Sequence, residues 1–592
     1  MRSGAGRAGH RRGLAFVAAV VVAVTACTTG GDGGDRATAR KAGGDIERVT
    51  LDSRSLSDAG RRLARQAGLE SAPVYDVRAV VQPESGRVEG SLVAELPAGR
   101  DPLRFRVFPA LPALDTGFRL QRVEVGGEEV EPALDRSLLT LPRPPGEGEG
   151  RVEVRLDFRY TVGVTKGGDD PFAALAGTDL EPAEIGLLGR HGGGLALGHW
   201  FPVWIAPGGR HDADPGGFGD IANFPAALIA ARIEVPAGWS VFSGGVTTDR
   251  ETDGGRTVYS EEGAGLRDLG VYIGRAVDVR ESRAGDATVR VVSQTADAPE
   301  AAEVEREAGD ALSALSDAFG PYPWAELDVV DVPLGSGVGG MEWPGMVWVS
   351  QSFFGGGLPG LGGLEGLSGL EDLLRGLGGV EGLGDLGGLF DPQVLGSLRA
   401  FVVAHEVAHE WWHALVGNDS IGAPVVDEPL AQFSACVVFR ARAPEQARRA
   451  CEFNTAGQYR LLRAVGAPDG RADQPTTDFA SSHQYGAVVY GKAPELFERL
   501  RSLVGDEATL AALRRYAEAN AFRVATPGGL RDALVSAAPS RSAEIDALWR
   551  RWMEEAHGDE DLGTGAAGVG GTGGSDQIAD ALARLLQALE RD

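Results

Sequence analysis

The side chains with the clearest chemical meaning in this chain are those of His405, Glu406 and His409, which lie in an apolar, helical-looking run at 397–416. On a helix, residues four apart lie on one face, with their Cβ atoms about 5–6 Å apart. His405 and His409 can therefore offer two imidazole nitrogens to one metal ion. Glu406 projects beside them, where its carboxylate can reach a water molecule rather than the metal. The spacing predicts a metal site with a base next to it.

The composition around these residues argues against a chance arrangement. The chain has nine histidines in 592 residues, and three of them fall within residues 405–413. A buried pair of structural histidines would not need the Glu between them, so the H-E-x-x-H order favours a zinc hydrolase. The third histidine, His413, is interpreted as a packing residue together with Trp411 and Trp412, because the metal does not need it as a ligand.

A catalytic zinc takes three protein ligands and keeps a fourth position for water. Glu428 is the candidate for the third ligand, since eighteen residues separate it from His409 and a second helix is predicted around 429–442. The resulting pattern, H-E-x-x-H-x18-E, resembles the aminopeptidase N and leukotriene hydrolase family of gluzincin zinc peptidases. The resemblance implies one Zn2+ held by His405, His409 and Glu428, with Glu406 as the general base.

A Gly-rich segment ahead of the zinc motif carries the same resemblance. Gly339, Gly340, Met341 and Glu342 are similar to the family's G-x-M-E-N exopeptidase motif, with Trp343 in place of the Asn. In that family the Gly-rich edge pairs with the peptide backbone by β-addition, and the Glu binds the free α-amine of the substrate. The resemblance thus implies that Glu342 anchors the amino terminus. The alternative is a Gly-rich turn with one exposed acid.

The segment at 484–493 is similar to the family's Y-x-K-G segment, whose Tyr donates a hydrogen bond to the tetrahedral oxyanion. The resemblance assigns this role to Tyr490 and the neighbouring Lys position to Lys492. A phenol suits the role because it donates a hydrogen bond without carrying charge at neutral pH. Tyr485 is interpreted as a supporting core aromatic.

These resemblances extend over residues 73–556 and imply a zinc aminopeptidase that acts on peptides with a free N-terminus. Two alternatives stay open. One is a zinc endopeptidase with the same chemistry but without an amine anchor. The other is a binding lipoprotein whose zinc is only structural. Glu406 and Tyr490 argue against the second alternative, because a structural site needs neither.

The N-terminus has the features of a lipoprotein signal. Basic residues precede the short apolar run 14–24, and small residues lead to Cys27. The run is too short for an ordinary membrane span, and the pattern resembles a bacterial lipoprotein signal in which Cys27 becomes the lipidated first residue. We therefore expect the mature chain to be lipid-anchored to the cell membrane, outside the cytoplasm. A cleaved secretory peptide with an incidental Cys is the alternative.

Outside the cytoplasm, the two remaining cysteines, Cys436 and Cys451, invite a disulfide. The bridge would close a short loop between neighbouring helices and would stabilise the fold by about 3 kcal/mol in the chain-entropy model. The alternative is two buried free thiols.

The chain is strongly acidic, with a net charge of −27 at pH 7. Binding to nucleic-acid phosphates depends on an excess of Lys and Arg, so the charge argues against a nucleic-acid partner. An acidic and well solvated surface is the simpler interpretation.

The periodicity of the apolar residues predicts a multidomain chain with a β-rich part followed by a helical part. Alternating apolar residues separated by Gly, Pro and Asp predict an N-terminal β-sandwich at 73–285. Helical periodicity then predicts an α+β, mostly helical catalytic domain at 286–556, which by resemblance is thermolysin-like. The other ranges are a signal peptide (1–27), a tether with a short helix (28–72), a Gly/Leu-rich insertion (355–389) and a Gly-rich linker with a short terminal helix (557–592).

Overall fold

The structure is a computed structural model that describes residues 46–564, except for 98, 100, 144–149, 166–184, 206, 217–218, 295–298, 336–337, 355–391 and 465. Four features predicted from the sequence lie outside the described residues. They are the signal peptide with Cys27, the first part of the tether, the Gly/Leu-rich insertion and the terminal helix.

The first part of the chain forms β-strands because its apolar residues alternate with polar ones. In the strand Val152–Thr161, for example, every second side chain from Val152 to Tyr160 is buried. Such a strand packs one face against a core and leaves the other face more exposed. The described strands are β1 (Val74–Gln82), β2 (Arg87–Leu96), β3 (Leu103–Arg106), β4 (Arg119–Val125), β5 (Glu128–Glu129), β6 (Ala133–Asp135), β7 (Leu138–Leu141), β8 (Val152–Thr161), β9 (Leu188–His191), β10 (Gly194–Leu197), β11 (Val203–Trp204), β12 (Ala227–Pro236), β13 (Ser240–Ser243), β14 (Val246–Asp253), β15 (Arg256–Leu266), β16 (Val271–Gly274), β17 (Asp278–Ala284), β18 (Ala287–Ser293), β19 (Glu326–Val332), β20 (Gly340–Trp343) and β21 (Met346–Ser350).

Three sheets make up the β-rich part. One has eight strands in the order β14-β15-β12-β1-β2-β8-β4-β5, and two have four strands in the orders β13-β16-β10-β9 and β11-β3-β7-β6. In the largest sheet β1 and β12 pair in parallel, whereas β1 and β2 are antiparallel. The predicted β-rich N-terminal domain is therefore confirmed, with its strands distributed over several sheets.

A fourth sheet carries the segment that resembles an exopeptidase motif. Its five strands have the order β17-β18-β19-β21-β20. β20 pairs with β21 in antiparallel register and forms one edge of this sheet. The hairpin of β17 and β18 spans the domain boundary predicted at 285, and the boundary itself stays a prediction. The sheet thus presents Gly340, Met341 and Glu342 on an edge strand.

The helical part follows, as the sequence predicts. Its helices, with α1 from the N-terminal region, are α1 (Asp58–Ala67), α2 (Pro299–Phe319), α3 (Pro392–Ala408), α4 (Glu428–Arg442), α5 (Pro444–Glu452), α6 (Gln458–Ala464), α7 (Ser482–Tyr485), α8 (Glu495–Val504), α9 (Asp506–Ala519), α10 (Pro527–Ala537), α11 (Ser542–Trp549) and α12 (Gly558–Leu562). A π-helical turn, Gly486–Lys492, follows α7. In the part of the chain that the structure describes, no helix combines the length and the apolar character that a membrane crossing needs.

The helix with the zinc motif is shorter than the sequence predicts. α3 ends at Ala408, and the rest of the run at 397–416 turns back on itself. The N–H of Ala414 donates to the carbonyl oxygen of His409 at 2.9 Å. The buried guanidinium of Arg267 donates to the three successive carbonyl oxygens at 413–415, over 2.7, 3.0 and 3.1 Å. Arg267 therefore satisfies carbonyl groups that a continuing helix would have used itself.

Candidate active site

Three side chains from two neighbouring helices meet at the end of α3. His405 lies in its last turn, His409 follows directly after it, and Glu428 is the first residue of α4. The Nε2 atoms of the two histidines are 3.0 Å apart. Oε2 of Glu428 lies 3.3 Å from Nε2 of His405 and 3.4 Å from Nε2 of His409. The three residues selected from their sequence spacing thus surround one point.

This arrangement fits a zinc ion. Ligand atoms bound tetrahedrally about 2.0–2.2 Å from zinc stand roughly 3.3 Å apart, which is close to the spacing found here. Oε2 of Glu428 is buried and has no hydrogen-bond partner among the described residues. A buried carboxylate oxygen in this state is costly unless a cation faces it. Two imidazoles and one carboxylate are also ligand types of catalytic zinc sites.

The orientation of His409 depends on a neighbour that sequence reasoning did not single out. Oδ1 of Asp427 lies 2.7 Å from Nδ1 of His409. When Nδ1–H donates to this carboxylate, Nε2 is directed at the metal position. The position of Asp427 directly before Glu428 is the sequence signal that could have identified it.

Glu406 lies under the edge strand β20. A Cβ atom added to Gly340 would stand 2.4 Å from the carboxylate carbon of Glu406, so the backbone of β20 passes directly over this side chain. Burial raises the pKa of Glu406 well above its usual value, and the carboxylates of Glu342, Glu428 and Asp427 add to this rise, although His409 opposes it. A carboxylate with a raised pKa accepts a proton readily, as a general base must.

Glu342 provides a second carboxylate on β20. Its side chain is buried, and its Oε1 atom has no hydrogen-bond partner in the described part of the chain. Burial raises the pKa of Glu342 to about 8. The adjoining Gly339 accepts a hydrogen bond from Ser350 N–H at 2.9 Å, and Met341 pairs with Trp348 across the hairpin. Glu342 is therefore held on a fixed strand with one oxygen available to a cationic partner.

Tyr490 lies next to His405, on the π-helical turn after α7. Its ring centroid is 5.9 Å from that of His405 and 5.7 Å from that of Tyr485. Burial raises the pKa of Tyr490 well above its usual value, and the carboxylate of Glu428 adds to this. The phenol therefore stays protonated and can donate a hydrogen bond. Tyr485 packs edge-on against Phe479, with centroids 5.3 Å apart, as a core aromatic does.

Lys492 has a structural role. Its side chain is completely buried, and Nζ donates to the carbonyl oxygens of Gly470 and Glu555 at 2.5 and 2.7 Å. Burial lowers the pKa of this ammonium, and Asp469 at 3.7 Å partly offsets the effect. The amine thus ties two distant segments to the turn that carries Tyr490.

His413 is more than a packing residue. Its Nδ1 atom lies 3.3 Å from Oδ2 of Asp220, 3.5 Å from Oδ2 of Asp427 and 3.9 Å from Oε1 of Glu342. Burial lowers the pKa of His413, but Asp427 and Asp220 outweigh burial and raise it to about 9. Its φ is 133°, in the region that favours glycine, where a side chain costs about 1–3 kcal/mol. The imidazole of His413 is therefore held at a position where the backbone conformation is strained.

A second histidine reaches the same acids from the β-rich part. Nδ1 of His199 lies 2.5 Å from Oδ2 of Asp268, and its Nε2 lies 3.3 Å from Oδ1 of Asp220. His199 also has a positive φ, of 47°. No motif in the sequence identifies His199, Asp220 or Asp268, which lie far from the zinc motif along the chain.

The structure pairs Cys436 of α4 with Cys451 of α5 in a disulfide, with their Cα atoms 5.5 Å apart. The bridge joins the helix that begins with Glu428 to the next helix. Cys27 lies outside the described residues.

Comparisons with known proteins agree with this site. Residues 396–552 match the peptidase family M1 domain. The M1 zinc metallopeptidase from Deinococcus radiodurans has a similar structure, with a TM-score of 0.53, 19% identity, and coverage of 82% of this chain and 94% of that one. Native yeast LTA4 hydrolase is similar with a TM-score of 0.54 and 15% identity, over 82% of this chain and 68% of that one. No curated protein matches this chain.

The M1 domain and the ligand geometry define a zinc metallopeptidase that uses one catalytic zinc. Within that class, residues 396–552 form a domain of peptidase family M1, the family of aminopeptidase N and leukotriene hydrolase. The sequence-based predictions of the enzyme class, the zinc cofactor and the order of the two domains are thus confirmed.

Proposed function

We propose that this chain is an aminopeptidase that removes residues from the N-terminus of peptides. The observation that carries the proposal is the carboxylate of Glu342. It is buried on an edge strand, has an oxygen without a hydrogen-bond partner among the described residues, and has an atom within 4.8 Å of a ring nitrogen of His409. An α-ammonium group fits such a carboxylate. A mutant of the Deinococcus radiodurans enzyme binds a Tyr-Ser-Ala substrate, which supports peptides as the substrate class.

The residues of the site have distinct roles in this reaction. The edge of β20 opposite β21 pairs with the substrate backbone, and Glu342 accepts hydrogen bonds from the substrate's α-ammonium. Glu406 takes a proton from the attacking water and delivers it to the leaving amine. Tyr490 donates a hydrogen bond to the developing oxyanion. His405, His409 and Glu428 would hold zinc, which supplies Lewis-acid polarisation and makes water more acidic.

The fixed position of Glu342 determines where the peptide is cut. A carboxylate that binds the terminal ammonium places the first peptide bond, and not a later one, beside Glu406 and Tyr490. This contact favours an exopeptidase over an endopeptidase.

A comparison of reporter substrates tests the proposal. The zinc-loaded enzyme should cleave an aminoacyl reporter with a free amine and should not cleave its N-acetylated form. Glu406→Gln should lower kcat by about 10²–10⁴-fold, and Glu342→Gln should raise KM for the free-amine reporter. Equal cleavage of the acetylated reporter would favour the endopeptidase. Absence of any cleavage that depends on Glu406 would favour a binding lipoprotein.

We further propose that the enzyme is anchored to the outer face of the cell membrane through lipid on Cys27. The support is the signal at residues 1–27, where basic and apolar residues precede small residues and the Cys. Cell fractionation tests it, since a Cys27→Ser variant should leave the membrane fraction while the parent chain stays there.

A further inference from the structure

A second group of potential metal ligands lies next to the zinc site. Asp220, Glu342 and His413 each offer an atom, and these atoms all lie within 4.8 Å of one another. Nδ1 of His413 is 3.3 Å from Oδ2 of Asp220 and 3.9 Å from Oε1 of Glu342. All three side chains are at least nine-tenths buried. Asp220 comes from the β-rich part, Glu342 from β20 and His413 from the segment that follows α3.

The three atoms share a second property. Three buried atoms of the cluster have no hydrogen-bond partner within the described ranges: Oδ2 of Asp220, Oε1 of Glu342 and Nδ1 of His413. Nδ1 of His413 does lie at ion-pair distance from the two carboxylate oxygens. Buried polar atoms are normally satisfied, and each unsatisfied one costs about 1–3 kcal/mol. Their convergence on one point indicates that an occupant supplies the missing interactions. Because two of the three groups are carboxylates, a cation fits this cluster, and it would take the place of the proton on Nδ1 of His413.

The spacing resembles that of the catalytic zinc ligands. There the ligand atoms stand 3.0, 3.3 and 3.4 Å apart. In the second cluster Nδ1 of His413 lies 3.3 Å from Oδ2 of Asp220 and 3.9 Å from Oε1 of Glu342. These distances suit an ion such as Zn2+ or Mn2+ bound by oxygen and imidazole nitrogen. Glu342 and His409 also offer atoms within 4.8 Å of each other, so the second cluster borders the first.

We propose that Asp220, Glu342 and His413 form a second site for a divalent cation, separate from the catalytic zinc. Glu342 belongs to this site and also to the amine anchor. A cation bound there excludes the substrate's ammonium group and acts as a competitive inhibitor. The binding of the cation is independent of the proposed aminopeptidase function, whereas the competition rests on it.

Metal stoichiometry tests the site. The full mature chain is first dialysed to one zinc per molecule and then titrated with Mn2+, whose unbound fraction is measured by electron paramagnetic resonance, with retained zinc measured in parallel. The wild-type chain should bind one Mn2+ equivalent more than Asp220→Asn or His413→Gln while keeping its zinc.

The matched control is Asp331→Asn. Asp331 is likewise buried, and its Oδ1 atom has no hydrogen-bond partner among the residues described, but it does not belong to this cluster. This variant should bind Mn2+ as the wild type does. Equal Mn2+ binding by the wild type, Asp220→Asn and His413→Gln would overturn the proposal and leave His413 held by ion pairs alone.

Kinetics distinguish this proposal from the aminopeptidase assignment. With free Mn2+ about tenfold above its dissociation constant, KM for a free-amine peptide should rise about tenfold with kcat unchanged. If a second ion binds but KM does not change, the cation site is supported and the amine anchor is contradicted. A change in KM that persists in Asp220→Asn would contradict the site.

Discussion

At the scale of single residues, His409, a proposed zinc ligand, is the end of a series of contacts between acids and imidazoles. Carboxylates and imidazoles alternate in this series, in the order Asp268, His199, Asp220, His413, Asp427 and His409. The nitrogen–oxygen distances between successive members are 2.5, 3.3, 3.3, 3.5 and 2.7 Å. Asp220 and Asp427 thus each lie between two imidazoles, and the position of His409 depends on charges that begin in the β-rich part.

Asp427 is the member of this series that acts directly on a zinc ligand. Replacing it by Asn keeps the size of the side chain but removes the charge that orients Nδ1–H of His409. Loss of such a contact lowers metal affinity about 10–100-fold. We expect this loss for Asp427→Asn, measured as zinc affinity in competition with a chelator.

Glu410→Gln is the control for this measurement. Glu410 is equally buried next to His409, but its Oε2 atom accepts from Gly345 N–H at 3.0 Å and does not contact a zinc ligand. Its zinc affinity should match that of the wild type. Equal affinity in Asp427→Asn and the wild type would mean that the contact does not tune the metal.

The sequence indicated much of this site because its signals are local. His405, Glu406 and His409 follow helical periodicity, and a short connection brings Glu428 to the same place. His199 and Asp220 carry no such signal, because about two hundred residues separate them from the zinc motif and only tertiary packing brings them there. His413 lay within the motif, but its role depends on those distant acids.

At the scale of secondary-structure elements, the site is an edge strand facing a helix end. β20 is hydrogen-bonded to β21 on one side, so its other edge can pair with a peptide. The end of α3 was mispredicted because apolar periodicity alone does not show what satisfies the carbonyl groups at 413–415. Arg267, which donates to five carbonyl oxygens in all, supplies these bonds from the β-rich part.

Gly340 tests the contact between β20 and α3. A Cβ atom at this position would stand 2.4 Å from the Glu406 carboxylate, closer than nonbonded atoms approach. We expect Gly340→Ala to displace the base and to lower kcat at least about tenfold, since proton transfer depends on hydrogen-bond distance. Zinc content should remain at one per chain, because the ligands lie on other elements.

Gly339→Ala is the matched variant. An added Cβ there would meet the side chain of Val402 at 3.2 Å, which small movements can relieve. It should retain much more activity than Gly340→Ala in the same assay. Equal losses in both variants would point to damage of the strand in general and not to the Glu406 contact.

At the scale of the whole molecule, the two halves of the chain are coupled through buried charge. The periodicity of the apolar residues predicted a β-rich part followed by a helical part. It did not predict the contacts between the two parts, because buried ion pairs leave no periodic pattern in a sequence. His199 shows the consequence: it lies between Asp268 and Asp220, with its ring edge-on to Trp343 at 4.8 Å between centroids.

This coupling makes stability depend on pH through His199. Burial alone would lower the pKa of His199, but its hydrogen bonds to Asp220 and Asp268 outweigh burial and raise it from 6.5 to about 9. Between these values the folded chain holds a proton that the unfolded chain has released. The stabilisation is therefore complete below about pH 6.5 and is lost as pH rises through about 9, with a size of about 3 kcal/mol.

Denaturant unfolding of the zinc-loaded chain at several pH values measures this effect. The difference in unfolding free energy between the wild type and His199→Gln should be largest near pH 6 and should shrink as the pH approaches 9. Replacing the exposed His211 by Gln should leave the wild-type pH profile unchanged, because His211 is not paired with a carboxylate among the described residues. A difference for His199→Gln that stays constant across this range would show that the ring acts through packing and not as an imidazolium. That result would remove the charge link between the β-rich part and the zinc site.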